Sequence, residues 1–134
     1  MKMRLLIGIT LLASLIIPFV AMAQRGGKAE PLRIEFKRGA TSTTINGAVR
    51  GSEEAEYVLA AKKGQRLIIK LTSAPAKSSV FQILGPHNDT LDLEHDAAYN
   101  FVGMLPKSGD YFITVRRPTE AKGVSKYKVT VIVR

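Results

Sequence analysis

Apolar and polar residues alternate with a period of two in short runs along most of this chain, and turn-forming residues separate the runs. Residues 33–37 read R-I-E-F-K, and residues 126–133 read K-Y-K-V-T-V-I-V. Because a β-strand places successive side chains on opposite faces, this alternation predicts half-buried strands. No segment beyond the N-terminal apolar run repeats its apolar residues every 3.6 positions. The pattern therefore predicts an all-β antiparallel β-sandwich, jelly-roll-like, with about eight short strands.

Two glycine positions refine this prediction. Residues 62–65 read K-K-G-Q, and Gly64 there would supply the positive φ that a tight turn needs. We therefore expect a hairpin that joins a strand at residues 55–61 to a strand at residues 66–72. Gly47 interrupts another β-rich run, which predicts either a bulge or a close approach of a neighbouring group.

The first 23 residues have the three parts of a secretory signal peptide. Two basic residues precede a charge-free apolar run, and Ala-Met-Ala at the end of the run forms a small-residue cleavage site. The alternative is an uncleaved membrane anchor, but the apolar run is short for a membrane span. We assign residues 1–23 to the signal peptide, residues 24–31 to a flexible tail and residues 32–134 to a single domain. The mature protein is then periplasmic or secreted, with no membrane span.

Cysteine is absent from the whole chain. An exported domain without disulfides is held together by packing alone, and cysteine nucleophiles and cysteine-ligated zinc are excluded. The formal net charge of +9 favours an anionic partner, and export argues against nucleic acid. Anionic envelope polymers remain as partners, while the alternative is that the excess of Lys and Arg only keeps the domain soluble.

No group of residues indicates a catalytic site, so we expect a protein that is not an enzyme and needs no cofactor. The G-x-S-x-G motif of serine hydrolases is absent. Both histidines lie in one acidic stretch, and the chain has no Trp on which a glycosidase would stack sugars. The chemistry of this chain is therefore more typical of a binding protein.

The acidic stretch that follows Gly85-Pro86 is a weak candidate for a calcium site. Carboxylate oxygens in a flexible loop suit Ca²⁺, but their spacing is not that of an EF-hand and the loop lacks the EF-hand glycine. The sequence favours a solvated acidic connection between strands. The candidate ligands are Asp89, Asp92, Glu94 and Asp96.

The last predicted strand carries a basic outer face. Lys126 and Lys128 alternate with Tyr127 and Val129, so the two lysines lie opposite the apolar side. Arg116, which points outward by the same rule in the preceding strand, is expected to extend this basic stripe. The stripe indicates a surface for an anionic polymer.

Three motifs occur in a characteristic order along the chain. They are E-F-K-R-G-A at residues 35–40, A-K-K-G-Q at residues 61–65 and L-P-x-S-G-x-Y at residues 105–111. With them, nearly the whole chain from Arg33 onward resembles the periplasmic inhibitor of g-type lysozyme family. The second and third motifs are also similar to those of bacterial pre-peptidase C-terminal modules, which are exported β-sandwiches.

This resemblance implies a β-sandwich that blocks the muramidase cleft of a g-type lysozyme, with a protein as its partner and without a cofactor. Tyr and Arg are frequent hot-spot residues, and a rigid loop loses little entropy on binding. Because Tyr111 alternates with Ile113 and Val115, its ring has a second interpretation as part of the core. The resemblance places the partner-binding loop at Ser108, Gly109, Asp110 and Tyr111, with Arg116 and Arg117 on it or just after it.

The alternative function is a non-enzymatic module that binds anionic envelope polysaccharide, or an exported protein partner, through the basic face of Lys126 and Lys128. In both interpretations we expect a monomer or a weak dimer.

Overall fold

The structure is a computed structural model that describes residues 30–88, 91, 99–118 and 122–134. The predicted signal peptide and most of the predicted tail lie outside the described residues. So do the four candidate calcium ligands, Asp89, Asp92, Glu94 and Asp96.

Within the described residues, eight strands form two four-stranded sheets that enclose one core. In chain order the strands are β1 Leu32–Arg33, β2 Ser42–Arg50, β3 Glu54–Ala61, β4 Arg66–Ala74, β5 Val80–Leu84, β6 Asn100–Met104, β7 Gly109–Arg116 and β8 Val124–Val133, and a 3₁₀ turn at Pro86–Asn88 follows β5. The first sheet has the order β1-β3-β7-β5, and the second has the order β2-β8-β4-β6. All pairs are antiparallel except β1 with β3. The predicted all-β antiparallel sandwich is confirmed.

The period-two alternation correctly predicts which side chains enter the core. Along β7, Tyr111, Ile113 and Val115 are fully buried, whereas the residues between them are partly exposed. The same pattern holds in β4 and in β8, where Lys126 and Lys128 are exposed between buried neighbours. Burial of these side chains between the sheets replaces the disulfides that the chain lacks.

The predicted hairpin between β3 and β4 is wrong, because these strands lie in different sheets. Gly64 has the expected positive φ of 87°, but the turn at residues 62–65 crosses from the first sheet to the second. Leu59 near the end of β3 and Leu67 near the start of β4 are both buried, and they enter the core from opposite sheets. Turn chemistry predicts that the chain reverses, but it does not decide whether the strands pair or pack face to face.

The predicted strand at residues 33–37 is much shorter in the structure. Only Leu32 and Arg33 pair with β3, although the amide of Ile34 still donates to the carbonyl of Val58 at 2.8 Å. Ile34 is buried and Phe36 packs against the core. The alternation in this segment therefore reflects burial of its apolar side chains without a continued strand.

A buried tyrosine pair links the two sheets through the middle of the core. The hydroxyls of Tyr57 in β3 and Tyr127 in β8 are 2.6 Å apart. Gly47 in β2 lies against the same ring, and a Cβ there would overlap the Tyr127 hydroxyl and come within 2.5 Å of its Cζ. The β2–β8 ladder is continuous at Gly47, so this glycine marks a close approach and not a bulge. Burial, with a further contribution from the Tyr57 hydroxyl, raises the pKa of Tyr127.

This raised pKa predicts a loss of stability in alkaline solution. A tyrosine in the unfolded chain ionises near pH 10, whereas Tyr127 in the folded protein keeps its proton to higher pH. Above pH 10 the unfolded state therefore loses its proton first, and this group lowers the free energy of unfolding by about 1.4 kcal/mol per pH unit. Denaturant titrations from pH 8 to about pH 11.5 should show a flatter decline for Tyr127→Phe than for wild type. Parallel curves would contradict the assignment.

Candidate partner-binding loop

Two turns that cross between the sheets meet at one end of the sandwich. The turn at residues 62–65 joins β3 to β4, and residues 105–108 join β6 to β7. The Gly64 amide donates to the Leu105 carbonyl at 2.9 Å, and the Leu105 amide donates to the Gln65 carbonyl at 2.8 Å. Residues 62–65 and 105–110 therefore form one connected surface, which we call the loop platform.

Tyr111 connects the loop platform to the hydrophobic core. Its ring is fully buried, and its hydroxyl donates to the Lys107 carbonyl at 2.6 Å. The Lys107 amide donates back to the same hydroxyl oxygen at 3.3 Å. Tyr111 is thus a core residue whose polar end closes the 107–111 turn, and its ring is not on the surface.

Gly109 occupies a position that is suited to glycine for two reasons. Its φ is +145°, a conformation that side chains rarely adopt. A Cβ at this position would also lie 2.8 Å from Cγ and 3.0 Å from Cβ of Pro86. The 3₁₀ turn that follows β5 therefore packs directly against the loop and limits its movement on that side.

Asp110 connects the loop platform to the N-terminal strand. The Arg33 guanidinium donates to both carboxylate oxygens of Asp110, with each N···O distance 3.4 Å. The two side chains are 51% and 47% exposed, so the free energy of this ion pair is small, within about 1 kcal/mol. Its effect is to orient the Asp110 side chain across β3 toward β1.

Ser108 is an exposed residue of the loop platform, in the turn that precedes β7. Its Oγ accepts a hydrogen bond from the Lys63 amide at 2.8 Å. This bond orients the hydroxyl through an acceptor lone pair and leaves the hydroxyl hydrogen for another bond. Within the described part of the chain, the hydroxyl finds no acceptor of its own, so it can donate to a carboxylate or carbonyl of a partner.

The two arginines that the sequence grouped with this loop lie at the opposite end of β7. Arg116 lies seven positions after Gly109 along the extended strand, which corresponds to roughly 23 Å. Arg117 donates to the carbonyls of Lys122 and Gly123 and so holds the connection to β8. The expectation that both arginines lie on or just after the Ser-Gly-x-Tyr loop is corrected: they do not share its surface.

The basic stripe also differs from the prediction. Lys126 and Lys128 are exposed on the outward face of the second sheet, as expected. Arg116 belongs to β7 and therefore to the first sheet, on the other side of the sandwich. The alternation along β7 correctly predicts that Arg116 points away from the core, but alternation does not reveal in which sheet a strand lies.

Three residues that support the loop platform were not singled out from the sequence. They are Arg33, Lys63 and Pro86, which contact Asp110, Ser108 and Gly109 respectively. The motif A-K-K-G-Q contains Lys63, but nothing in the motif indicates that its turn contacts the turn of L-P-x-S-G-x-Y. In the described ranges, no three metal-binding side chains lie close enough to hold an ion.

Comparison with known proteins confirms the resemblance seen in the sequence. No family model matches the chain. A curated protein of Escherichia coli (strain K12), named inhibitor of g-type lysozyme, is 28% identical over 112 residues, which span 77% of this chain and 80% of that protein.

Solved structures with this fold include proteins of both families that the sequence resembles. PliG of Aeromonas hydrophila, a periplasmic lysozyme inhibitor of g-type lysozyme, superposes with a TM-score of 0.68 at 22% identity, covering 78% of this chain and 96% of PliG. The pre-peptidase C-terminal domain of collagenase from Bacillus anthracis gives a TM-score of 0.51 at 19% identity, covering 78% of this chain and 95% of that domain. The predicted export agrees with the periplasmic description of PliG. No helix in the described ranges has the length and apolar character to cross a membrane.

The two hydrogen bonds between the Tyr111 hydroxyl and the backbone of Lys107, which we call the clamp, order the loop. We expect Tyr111→Phe to lower the free energy of unfolding by about 0.5–1.5 kcal/mol, since it removes the part-buried hydrogen bond from the Tyr111 hydroxyl to the Lys107 carbonyl. Amide hydrogen exchange at residues 107–110 should become faster at the same time. Tyr57→Phe is the matched control, because it also removes a buried tyrosine hydroxyl, but one that bonds to Tyr127 and not to the loop. Equal exchange rates at residues 107–110 in both variants would contradict the clamp.

Proposed function

We propose that this chain is an exported inhibitor of g-type lysozyme that inserts the loop at residues 108–111 into the muramidase cleft. Two relatives that share most of its length are named as inhibitors of g-type lysozyme. The chain is accordingly a binding protein and not an enzyme, and its partner is a protein. The observation that carries the proposal is the exposed Ser108 hydroxyl in a loop that the fold holds in place.

Four contacts restrict the loop before any partner is bound. Tyr111 bonds to Lys107, the Lys63 amide bonds to Ser108, and Pro86 packs against Gly109. Arg33 adds the ion pair to Asp110. A loop that is already ordered loses little conformational entropy when it enters a cleft, so more of the contact energy remains as affinity.

The chemistry at Ser108 suits the acidic cleft of a muramidase. The resemblance implies that the loop presents a hydroxyl to a cleft that contains a catalytic glutamate. Ser108 accepts a bond from Lys63 and is left to donate, which is the polarity that a carboxylate requires. The exposed lysines of the loop platform, Lys62 and Lys63, add positive charge beside the hydroxyl.

Ser108→Ala should therefore weaken inhibition without unfolding the protein. A hydrogen bond to a charged acceptor contributes about 1.5–3 kcal/mol, which corresponds to an inhibition constant roughly 10- to 100-fold higher. The measurement is the clearing of a peptidoglycan suspension by g-type, c-type and i-type lysozymes over a range of inhibitor concentrations. We expect selective inhibition of the g-type enzyme.

Two control variants make this assay specific for the loop. Ser52→Ala removes another exposed hydroxyl from a turn at the opposite end of β3, and Arg116→Ala removes a charge at the opposite end of β7. Both should inhibit as wild type does. If Ser108→Ala inhibits normally, insertion of the loop is refuted, even where the wild-type protein inhibits. If wild type does not inhibit any of the three enzymes, the proposed function itself is refuted.

A further inference from the structure

The outward face of the second sheet is basic and lacks carboxylates. Its four strands, β2, β4, β6 and β8, contain no Asp or Glu at any position. The strands of the first sheet, by contrast, contain Glu54, Glu56 and Asp110 beside two arginines. We call the exposed cations of the second sheet the basic face; they are Arg50, Arg66, Lys70, Lys126, Lys128 and Arg134, which directly follows β8.

The strand register arranges these cations as a narrow diagonal stripe. Arg66 and Arg134 exchange backbone hydrogen bonds at the end nearest the loop platform, and Lys70 follows two rows further along β4. On the neighbouring strand β8, Lys128 lies opposite Thr72, and Lys126 lies opposite Ala74, one outward position further. Arg50 on β2 lies opposite Val124, after one more outward position. Because successive outward positions of a strand are roughly 6.7 Å apart, the stripe is roughly 33 Å long and only two strand spacings wide.

The cations of the basic face are available to a partner. None of the six forms an ion pair with another residue in the described ranges. The outward positions beside them include hydroxyl and amide side chains as well as the apolar Ile68 and Ile132, and the Oγ atoms of Thr44 and Thr130 lie 3.4 Å apart next to Lys70. Such a surface offers charge to anionic groups and hydrogen bonds to neutral sugar hydroxyls.

We propose that the basic face binds a linear acidic glycan of the cell envelope. An extended polymer with repeated anionic groups matches a linear stripe of cations better than a compact ion does. A bilayer surface is the less suitable partner, because the outward positions of these strands include no aromatic side chain. Of the exposed large apolar residues in these strands, Val102 and Met104 lie on the edge strand β6, and Val124 lies beside Arg50 at the end of the stripe. This site is separate from the loop platform and does not depend on lysozyme inhibition.

The test compares two triple variants with the same loss of charge. One replaces Lys70, Lys126 and Lys128 of the basic face with Gln, and the control replaces Lys37, Lys62 and Lys122 with Gln. The control lysines are exposed and lie outside the strands of the second sheet. Binding of the chain from Gln24 to Arg134 is measured by titration with alginate, a linear polyuronate, and with neutral dextran.

We expect wild type and the control to bind alginate but not dextran, with affinity falling about tenfold or more between about 50 and 200 mM NaCl. The variant of the basic face should bind about tenfold more weakly than the control while keeping the same melting temperature. If both triple variants lose the same amount of affinity for alginate, binding depends on net charge alone and the proposal is overturned. It would also be overturned by failure of wild type to bind alginate, or by binding only to phosphatidylglycerol vesicles.

Discussion

The hydrogen bond from the buried Tyr111 to the Lys107 carbonyl connects the core of this protein to its exposed loop. The ring is packed among the apolar residues of both sheets, so the position of its hydroxyl is determined by the core. That hydroxyl then positions the loop that contains Ser108. A change in the packing of the sandwich therefore changes the loop geometry, and a chain without disulfides keeps its binding loop ordered only as long as its core is intact.

The loop platform and the basic face are two separate surfaces with different chemistry. The loop platform lies where the chain crosses between sheets, and its contacts come from β1, from the β3–β4 turn and from the 3₁₀ turn after β5. The basic face occupies the outward side of the second sheet, where no carboxylate is present in the strands. The two proposals thus place a folded partner at one end of the sandwich and an extended polyanion along one side.

The sequence alone predicts the sandwich and its buried faces well, because burial on a strand requires alternation and alternation is visible in the residues. The pairing of strands is less visible. The K-K-G-Q turn predicts a reversal of the chain, yet β3 and β4 belong to different sheets, since the same turn serves for pairing or for packing.

The candidate site shows the same limit. Ser108 and Gly109 are recognisable from the motif, and the core position of Tyr111 follows from its alternation with Ile113 and Val115. The contacts of Arg33 with Asp110 and of Lys63 with Ser108 join positions 77 and 45 residues apart, and local patterns carry no information on such distances. Arg116 and Arg117 follow the loop closely in sequence, but an extended strand moves them to the other end of the molecule.

The central claim is that the loop enters the lysozyme cleft in the conformation it already has. A crystal structure of the chain in complex with a g-type lysozyme tests this most directly. The account predicts the Ser108 hydroxyl within hydrogen-bond distance of a carboxylate in the cleft, and a backbone at residues 105–111 that differs from the free loop by less than about 1 Å. A complex in which the enzyme contacts another surface, or in which Tyr111 has left the core to reach the cleft, would contradict it.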